Sequence, residues 1–469
     1  MANGKGQMAN VKEWRSAVTG APADTPTMPK SSSAPAQLAR PGSGFTLPNL
    51  RWVICALLFV ASTINYIDRQ AVSVLKPLLQ SALHWSESDY GWIVFAFVFA
   101  YALMFTVAGV VVDWLGTRLG YALSITWWSI AAMAHALARG ALSFGAARFL
   151  LGAGESGNFP AAIKAVAEWF PRKERALATG VFNAGPTVGA VIAPPLVVWL
   201  TLRWGWRAAF IFTGALGFIW LFFWVALYRL PREHPWITPG ELEFIESGET
   251  EEETETVPRI PWQKILGYRQ AWGYILAKFM TDPIWWFYVF WLPSYLKQAR
   301  GFTLEQIGLF SWIPFLVSGV GSVAGGWLSG FFLKRGWPLS RARKTAMAIC
   351  AFCMPSGIAA VFVPSPWWAL ALIGVSAAAH QGWMANVYTL ASDMFPKRDV
   401  GSVTGLGGTG GAVGGMILSL VAGYTLQWFH TYVPLFIIAG IMHPLAIGVV
   451  HWLVPRIEPV PTSGIMNSE

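Results

Sequence analysis

From Trp52 to Val454 the chain repeats one pattern, an apolar block long enough to cross a bilayer, then a short polar turn, then another block. A spanning helix needs about 20 apolar residues, and in hydrocarbon a segment must satisfy its own backbone hydrogen bonds. The blocks fall at 52–80, 90–112, 119–138, 142–168, 175–201, 206–228, 270–298, 303–332, 342–363, 366–394, 400–428 and 432–454, which makes twelve spans. Composition agrees: 55% of the 469 residues are hydrophobic and 12% are charged. Soluble domains carry about 25% charged residues, so an ordinary soluble enzyme is excluded.

Residues 1–50, rich in Ala, Pro, Ser and Gly, form an expected disordered cytoplasmic tail, with no cleaved signal peptide. The polar stretch 229–269, with its acidic run Glu249, Glu251, Glu252, Glu253 and Glu255, separates a six-helix half at 51–228 from another at 270–455, and 456–469 form a second tail. Of the Lys and Arg residues, 23 fall on the side of the N-terminus, 6 (Lys76 among them) on the other, and 4 within spans. That bias places both termini in the cytoplasm. It also assigns the net charge of +9 to loops rather than to a nucleic-acid surface. Cys55, Cys350 and Cys353 lie in apolar blocks with no completing metal ligands, so no metal or cofactor is expected. The halves echo one another at an offset of 225, pairing Phe170/Phe395, Pro171/Pro396, Thr179/Thr404, Gly180/Gly405, Gly185/Gly410, Val188/Val413 and Gly189/Gly414. The same offset sets Glu155 opposite His380 and Asn183 opposite Gly408.

Charge inside a membrane costs about 2.5 kcal/mol or more per residue, so each such group needs a partner, a wet cavity or a function. Asp68 and Arg69 are neighbours in the first span, about 100° apart around the helix, and meet different partners. Arg148 and Glu155, seven residues apart, face one cavity, where the acid can exchange a proton when an anion competes for the arginine. Lys278 and Asp282 are one turn apart and can pair, while Lys164 can snorkel to the interface. His380, Gln381, Trp383 and Asn386 gather the polar and aromatic groups that a sugar requires. The run Gly109-x3-Asp113-x2-Gly116-x-Arg118 forms a charged tight turn between spans 2 and 3; its echo after Gly326 lacks the acid.

That run resembles the loop signature of the major facilitator superfamily. Asn65 to Arg69, Arg148 to Glu155 and Glu168 to Pro171 resemble its anion:cation symporter family, and Thr281 to Tyr288, Trp291 to Pro293, Arg335 to Trp337, Ser392 to Arg398 and Gly401 to Gly415 resemble bacterial hexuronate transporters. The resemblance implies an all-α membrane protein with the major facilitator fold, twelve transmembrane helices in two pseudo-symmetric six-helix halves. It implies proton-coupled uptake of a hexuronate such as glucuronate or galacturonate by alternating access in the bacterial cytoplasmic membrane. In that reading Asp68 and Glu155 titrate, Arg69 holds the substrate carboxylate, Arg148 tunes Glu155, Tyr66 and Tyr101 line the cavity, and Lys278 contributes from the second half. Gly109, Asp113, Gly116 and Arg118 gate the fold. The partners are then a sugar-acid anion, protons and the lipid bilayer, for a monomer without a cofactor. An aldonate or other organic anion is the alternative cargo; a drug-efflux antiporter fits less well with two buried arginines. No enzyme motif occurs in a suitable context.

Overall fold

The computed structural model describes residues 46–246, 260–396 and 399–460; the N-terminal tail and the acidic run lie outside the described residues. Each apolar block becomes helix. Span 1 is Leu50–Leu83, and spans 2 and 3 together form Glu87–Ala134, bent at Gly116. Gly116 has φ 78°, a conformation that a side chain would strain, so helical hydrogen bonding resumes directly after the turn. Span 4 is split into Ala141–Glu155 and Asn158–Trp169, span 5 into Arg172–Asn183 and Gly185–Trp204, and span 6 is Trp206–Leu227. The second half follows the same order: Arg269–Arg300, Leu304–Phe310 with Ile313–Lys334, Leu339–Cys353 with Ser356–Ala360, Pro366–Met394, Val400–Phe429 and Val433–Leu453. By length and composition alone, seven described stretches can cross a membrane. Large apolar side chains such as Phe222, Leu142 and Trp428 stand exposed around the outside, as a lipid-facing surface requires.

Pseudo-symmetry shows in the caps and in the glycines. Ser86 opens span 2 with a capping box to Asp89, and Thr303 opens span 8 with the same device to Gln306. Gly185 and Gly189 on span 5 face the backbone of span 1 at Phe59 and Thr63; Gly410 and Gly414 on span 11 face the backbone of span 7 at Ile275 and Phe279. A methyl group at any of the four would press on that neighbour, so small residues are what lets these helices touch backbone to backbone.

On the side of the 84–86 and 430–432 turns the halves are latched together. Glu87 accepts from Lys76 Nζ at 2.5 Å, Gln80 Nε2 at 2.9 Å and, from the other half, Gln298 Nε2 at 2.8 Å; its backbone N–H donates to Gln427 Oε1 at 3.1 Å. Tyr90 donates to the Phe290 carbonyl at 2.8 Å, and Gly91 lies against Ser419 and Gly423. Lys76, counted with the cations on the side away from the termini although the first block includes it, is fully buried in span 1 with its ammonium over the Tyr90 and Trp291 rings at 4.7 and 4.3 Å. Its long aliphatic stem makes this possible, and Glu87 supplies the counter-charge.

On the opposite side, Glu241 of the linker helix Pro239–Glu246 caps span 1, accepting from the backbone N–H groups of Leu50 and Arg51 at 3.0 and 3.1 Å. Arg51 bridges Glu241 and Glu174 at 2.9 and 3.0 Å, which pins the start of the linker to the first half.

The glycine seam is testable with one substitution and its control. Gly189→Ala, which forces Cβ into the Thr63 carbonyl, should lower the melting temperature of the detergent-solubilised protein by several degrees, whereas Gly180→Ala, which meets open space, should leave it unchanged or raise it slightly.

Candidate functional site

Span 1 presents Asn65 and Arg69 on one face, one turn apart, and turns Asp68 elsewhere. Arg69 is 2% exposed, and its Nη2 and Nε donate to Glu155 Oε2 at 2.8 and 3.0 Å, with Asn65 Oδ1 at 3.3 Å. Four aromatic rings surround its guanidinium, Tyr66 at 4.6 Å, Tyr101 at 5.0 Å, Phe97 at 5.1 Å and Trp286 at 5.3 Å. Aromatic faces attract a cation without offering a counter-charge, so Glu155 carries the ionic pairing. Trp286 comes from span 7, which places Arg69 where the two halves meet.

Glu155 is the last residue of the first helix of span 4, immediately before the break at Ser156 and Gly157. The small residues around it let this segment approach its neighbours closely: Gly152 abuts the Phe97 carbonyl, Gly154 the backbone of Trp128 and Gly157 the Ser124 side chain. Asn158 then ties the break to spans 1 and 3 through Ser62 at 3.3 Å and Tyr121 at 2.6 Å. Arg148 does not pair with Glu155. Seven residues along a helix is about 10 Å, too far for contact. Its Nη2 donates instead to the Arg69 backbone carbonyl at 2.9 Å, and its guanidinium lies over Phe97 at 4.7 Å and Phe290 at 5.6 Å.

This cluster holds several unsatisfied polar atoms. Both oxygens of Asp68, Oε1 of Glu155, and Nε and Nη1 of Arg148 are buried without hydrogen-bond partners. The Thr213 hydroxyl near Asp68 is turned to the Phe210 carbonyl. Orphaned charged groups are costly in the interior of a protein, and their concentration around one arginine sets this region apart from helix packing.

In the second half, Lys278 and Asp282 form an ion pair at 2.7 Å, with the ammonium over Tyr388 at 4.7 Å. Spacing alone finds this pair. Two residues expected at the sugar are engaged by protein partners. Asn386 is fully buried in the seam between spans 8 and 10, where its Nδ2 donates to the carbonyls of Gly325 and Gly382 at 2.9 and 3.0 Å. His380 stacks on Trp285 and hydrogen-bonds His443 of span 12 at 3.1 Å, a partner that sequence spacing could not supply. Phe97, Trp286 and Phe290 were likewise unforeseen, although the i,i+4 aromatic pairs Phe97/Tyr101 and Trp286/Phe290 are the pattern that could have revealed them. The loop motif stands apart from the cluster: Asp113 pairs with Lys164 at 2.9 Å, Arg118 donates to the Val225 carbonyl at 2.6 Å, and Gly109 faces Pro160.

A twelve-helix bundle with a charged, aromatic-lined cluster between its halves has the anatomy of a carrier. The Major Facilitator Superfamily model matches residues 58–341 and 336–466. The chain belongs to that superfamily. It is 35% identical over 416 residues to the hexuronate transporter of Escherichia coli (strain K12), spanning 88% of this chain and 96% of that protein. It is 36% identical over 291 residues to the galacturonate transporter of Dickeya chrysanthemi, spanning 62% of this chain and 84% of that one. Its fold is similar to that of a D-xylose–proton symporter, with a TM-score of 0.66 at 16% identity over 87% of this chain and 98% of that one. As a superfamily member with transporter relatives, the chain is a multi-pass membrane transporter rather than an enzyme.

Phe97 touches both arginines, so it tests how far aromatic faces hold the cluster. Phe97→Leu keeps most of the apolar volume and removes two desolvated cation–π contacts of about 2 kcal/mol each. The melting temperature should fall by several degrees, against no change for Phe223→Leu on the exposed surface.

Proposed function

We propose that this transporter is a proton-coupled symporter that takes up a hexuronate such as glucuronate or galacturonate by alternating access. The observation that carries the reading is the sharing of Arg69: a single guanidinium at the meeting of the halves is held by one acid, Glu155, whose second oxygen lacks a partner. A substrate carboxylate offers Arg69 the same fork that Glu155 occupies. Protonation of Glu155 weakens its hold on Arg69, and the arginine then turns to the incoming anion. Asp68, whose buried oxygens make no hydrogen bond although the Thr213 hydroxyl lies nearby, is a second proton carrier, since no fixed ionic partner competes with a proton there. Arg148 fixes the backbone of Arg69 and keeps two donors unengaged for the acids as they change state.

Charge balance supports the same coupling. In and beside the core stand four cations (Arg69, Lys76, Arg148, Lys278) and four acids (Asp68, Glu87, Glu155, Asp282), three of each joined in ion pairs. One monoanion entering with one proton leaves that balance untouched, so the loaded bundle carries no additional charge through the low-dielectric core. Tyr66, Tyr101 and Trp286 supply the apolar faces and hydroxyls that a pyranose ring uses. The hexuronate and galacturonate transporters among its relatives support the choice of cargo. The bacterial relatives and the 23 cations on the side of the termini support placement in the cytoplasmic membrane with both ends inside, and the burial of Lys76 strengthens the bias by removing one cation from the opposite side.

Uptake of labelled galacturonate into proteoliposomes under an imposed pH gradient tests this. Arg69→Ala should weaken binding about 100-fold, equivalent to ~2.7 kcal/mol. Glu155→Gln should lose gradient-driven accumulation while keeping counterflow exchange. Retained affinity in Arg69→Ala removes it from the site, and galactonate displacing both uronates moves the reading to an aldonate carrier.

A further inference from the structure

The Lys278–Asp282 pair precedes Trp286 by one to two turns on span 7, and Tyr388, whose ring lies beneath the ammonium, interacts with Tyr66 of span 1, yet the pair has no role in holding one carboxylate. Asp282 and Trp286 are i,i+4 on span 7, about 6 Å apart along the helix, and Trp286 covers Arg69. Span 7 therefore carries both the ring over Arg69 and, one turn away, the acid of this pair. The pair is seated by glycine. A side chain at Gly411 would collide with the Asp282 carboxylate, and one at Gly407 with Tyr274 and the Lys278 stem. Lys278 is buried and Asp282 half-buried, its side chain 17% exposed; around the pair lie the buried, unpartnered Asp282 Oδ1 and Tyr274 hydroxyl, with the Tyr388 ring beneath the ammonium.

These groups present a neutral set of donors and acceptors. Such a set suits the hydroxyl end of a sugar acid, whereas a second carboxylate needs an uncommitted cation. We propose that Asp282 sets the charge class of the cargo: by neutralising Lys278 it makes the carrier accept sugar acids with one carboxylate and reject those with two. The inference rests on the symport reading above and extends it from the carboxylate end of the substrate to the other end. Its physical basis is the charge balance. A monoanion with one proton preserves it, while a dianion with one proton leaves an uncompensated negative charge in the core. Removing the charge of Asp282 frees Lys278 and shifts the balance by one positive unit, which is what a dianion requires.

Binding of galacturonate and of galactarate, the six-carbon acid with a carboxylate at both ends, can be compared on the purified full-length protein by calorimetry. The wild type should bind galacturonate at least about tenfold more tightly than galactarate, a difference of ~1.4 kcal/mol. In Asp282→Asn, and independently in Asp282→Ser, the ratio of the two affinities should move at least about tenfold toward galactarate, and adding Lys278→Gln should cancel the gain. A ratio within about twofold of the wild type in both single variants overturns the proposal, as does a wild type that binds both acids equally. Loss of the folded state in both variants assigns the pair to helix packing and overturns it as well. Failure of the symport reading looks different: the wild type then binds neither acid, or Arg69→Ala binds galacturonate as tightly as the wild type.

Discussion

The ion pair between Arg69 and Glu155 is the contact around which the centre of the bundle is arranged. Both groups are almost wholly removed from water, so each alone would carry a prohibitive desolvation cost, and their attraction is correspondingly strong. Everything near the pair manages that cost. Four rings face the guanidinium, Arg148 holds the Arg69 carbonyl, and Glu155 is placed at a helix break where its carboxyl group can reach across to span 1. The pair is also incomplete, with one acid oxygen unpartnered. A pair built purely for stability would be satisfied on all sides, and an interaction left partly open responds to a proton or to a competing anion.

Coupling that response to movement requires halves that can shift while staying whole. Within each half the glycine seams bring span 5 onto span 1 and span 11 onto span 7, backbone against backbone, which makes each half a tightly packed body. Between the halves the latch adds polar links to the backbone approach of Gly91 and Gly423: Glu87 accepts from Gln298 and donates its backbone N–H to Gln427, and Tyr90 reaches the Phe290 carbonyl. These polar links exchange readily with water once separated, unlike an interdigitated apolar core. Trp286 and Phe290 lie on the same helix as Gln298, so span 7 connects the latch to the aromatic cover over Arg69.

Much of this was legible in the sequence because a bilayer forces it to be. Twelve apolar blocks give twelve spans, and the repeated Gly185/Gly410 and Gly189/Gly414 pairs mark the two backbone contacts. Charged residues such as Asp68, Arg69, Arg148 and Glu155 stand out because hydrocarbon tolerates so few. What spacing could not convey was pairing between helices. Arg148 and Glu155 share a face, yet each is bonded to a residue of span 1, since axial rise along one helix outweighs a shared face. Lys76 lies near a span end, as a loop lysine would, but the Tyr90 and Trp291 rings and Glu87 draw it inward. Asn386 looked like a sugar contact because amides bind hydroxyls; the close approach of Gly325 and Gly382 gives it backbone carbonyls to satisfy instead.

The repeat makes the difference between the halves informative. At the offset that aligns their glycines, Glu155 corresponds to His380, and at this position the first half has an acid in an ion pair and the second a neutral-capable imidazole hydrogen-bonded to His443. Charged chemistry in the second half is displaced to span 7, where Lys278 and Asp282 already neutralise each other. The first half holds two further deep groups outside its ion pairs, Asp68 and Arg148, so its cluster can change its charge state, whereas a self-contained pair holds a constant charge while offering hydrogen bonds. The two halves thus divide the task on physical grounds: one side responds to protons and grips the anion, and the other presents a fixed polar surface against which the rest of the molecule is measured.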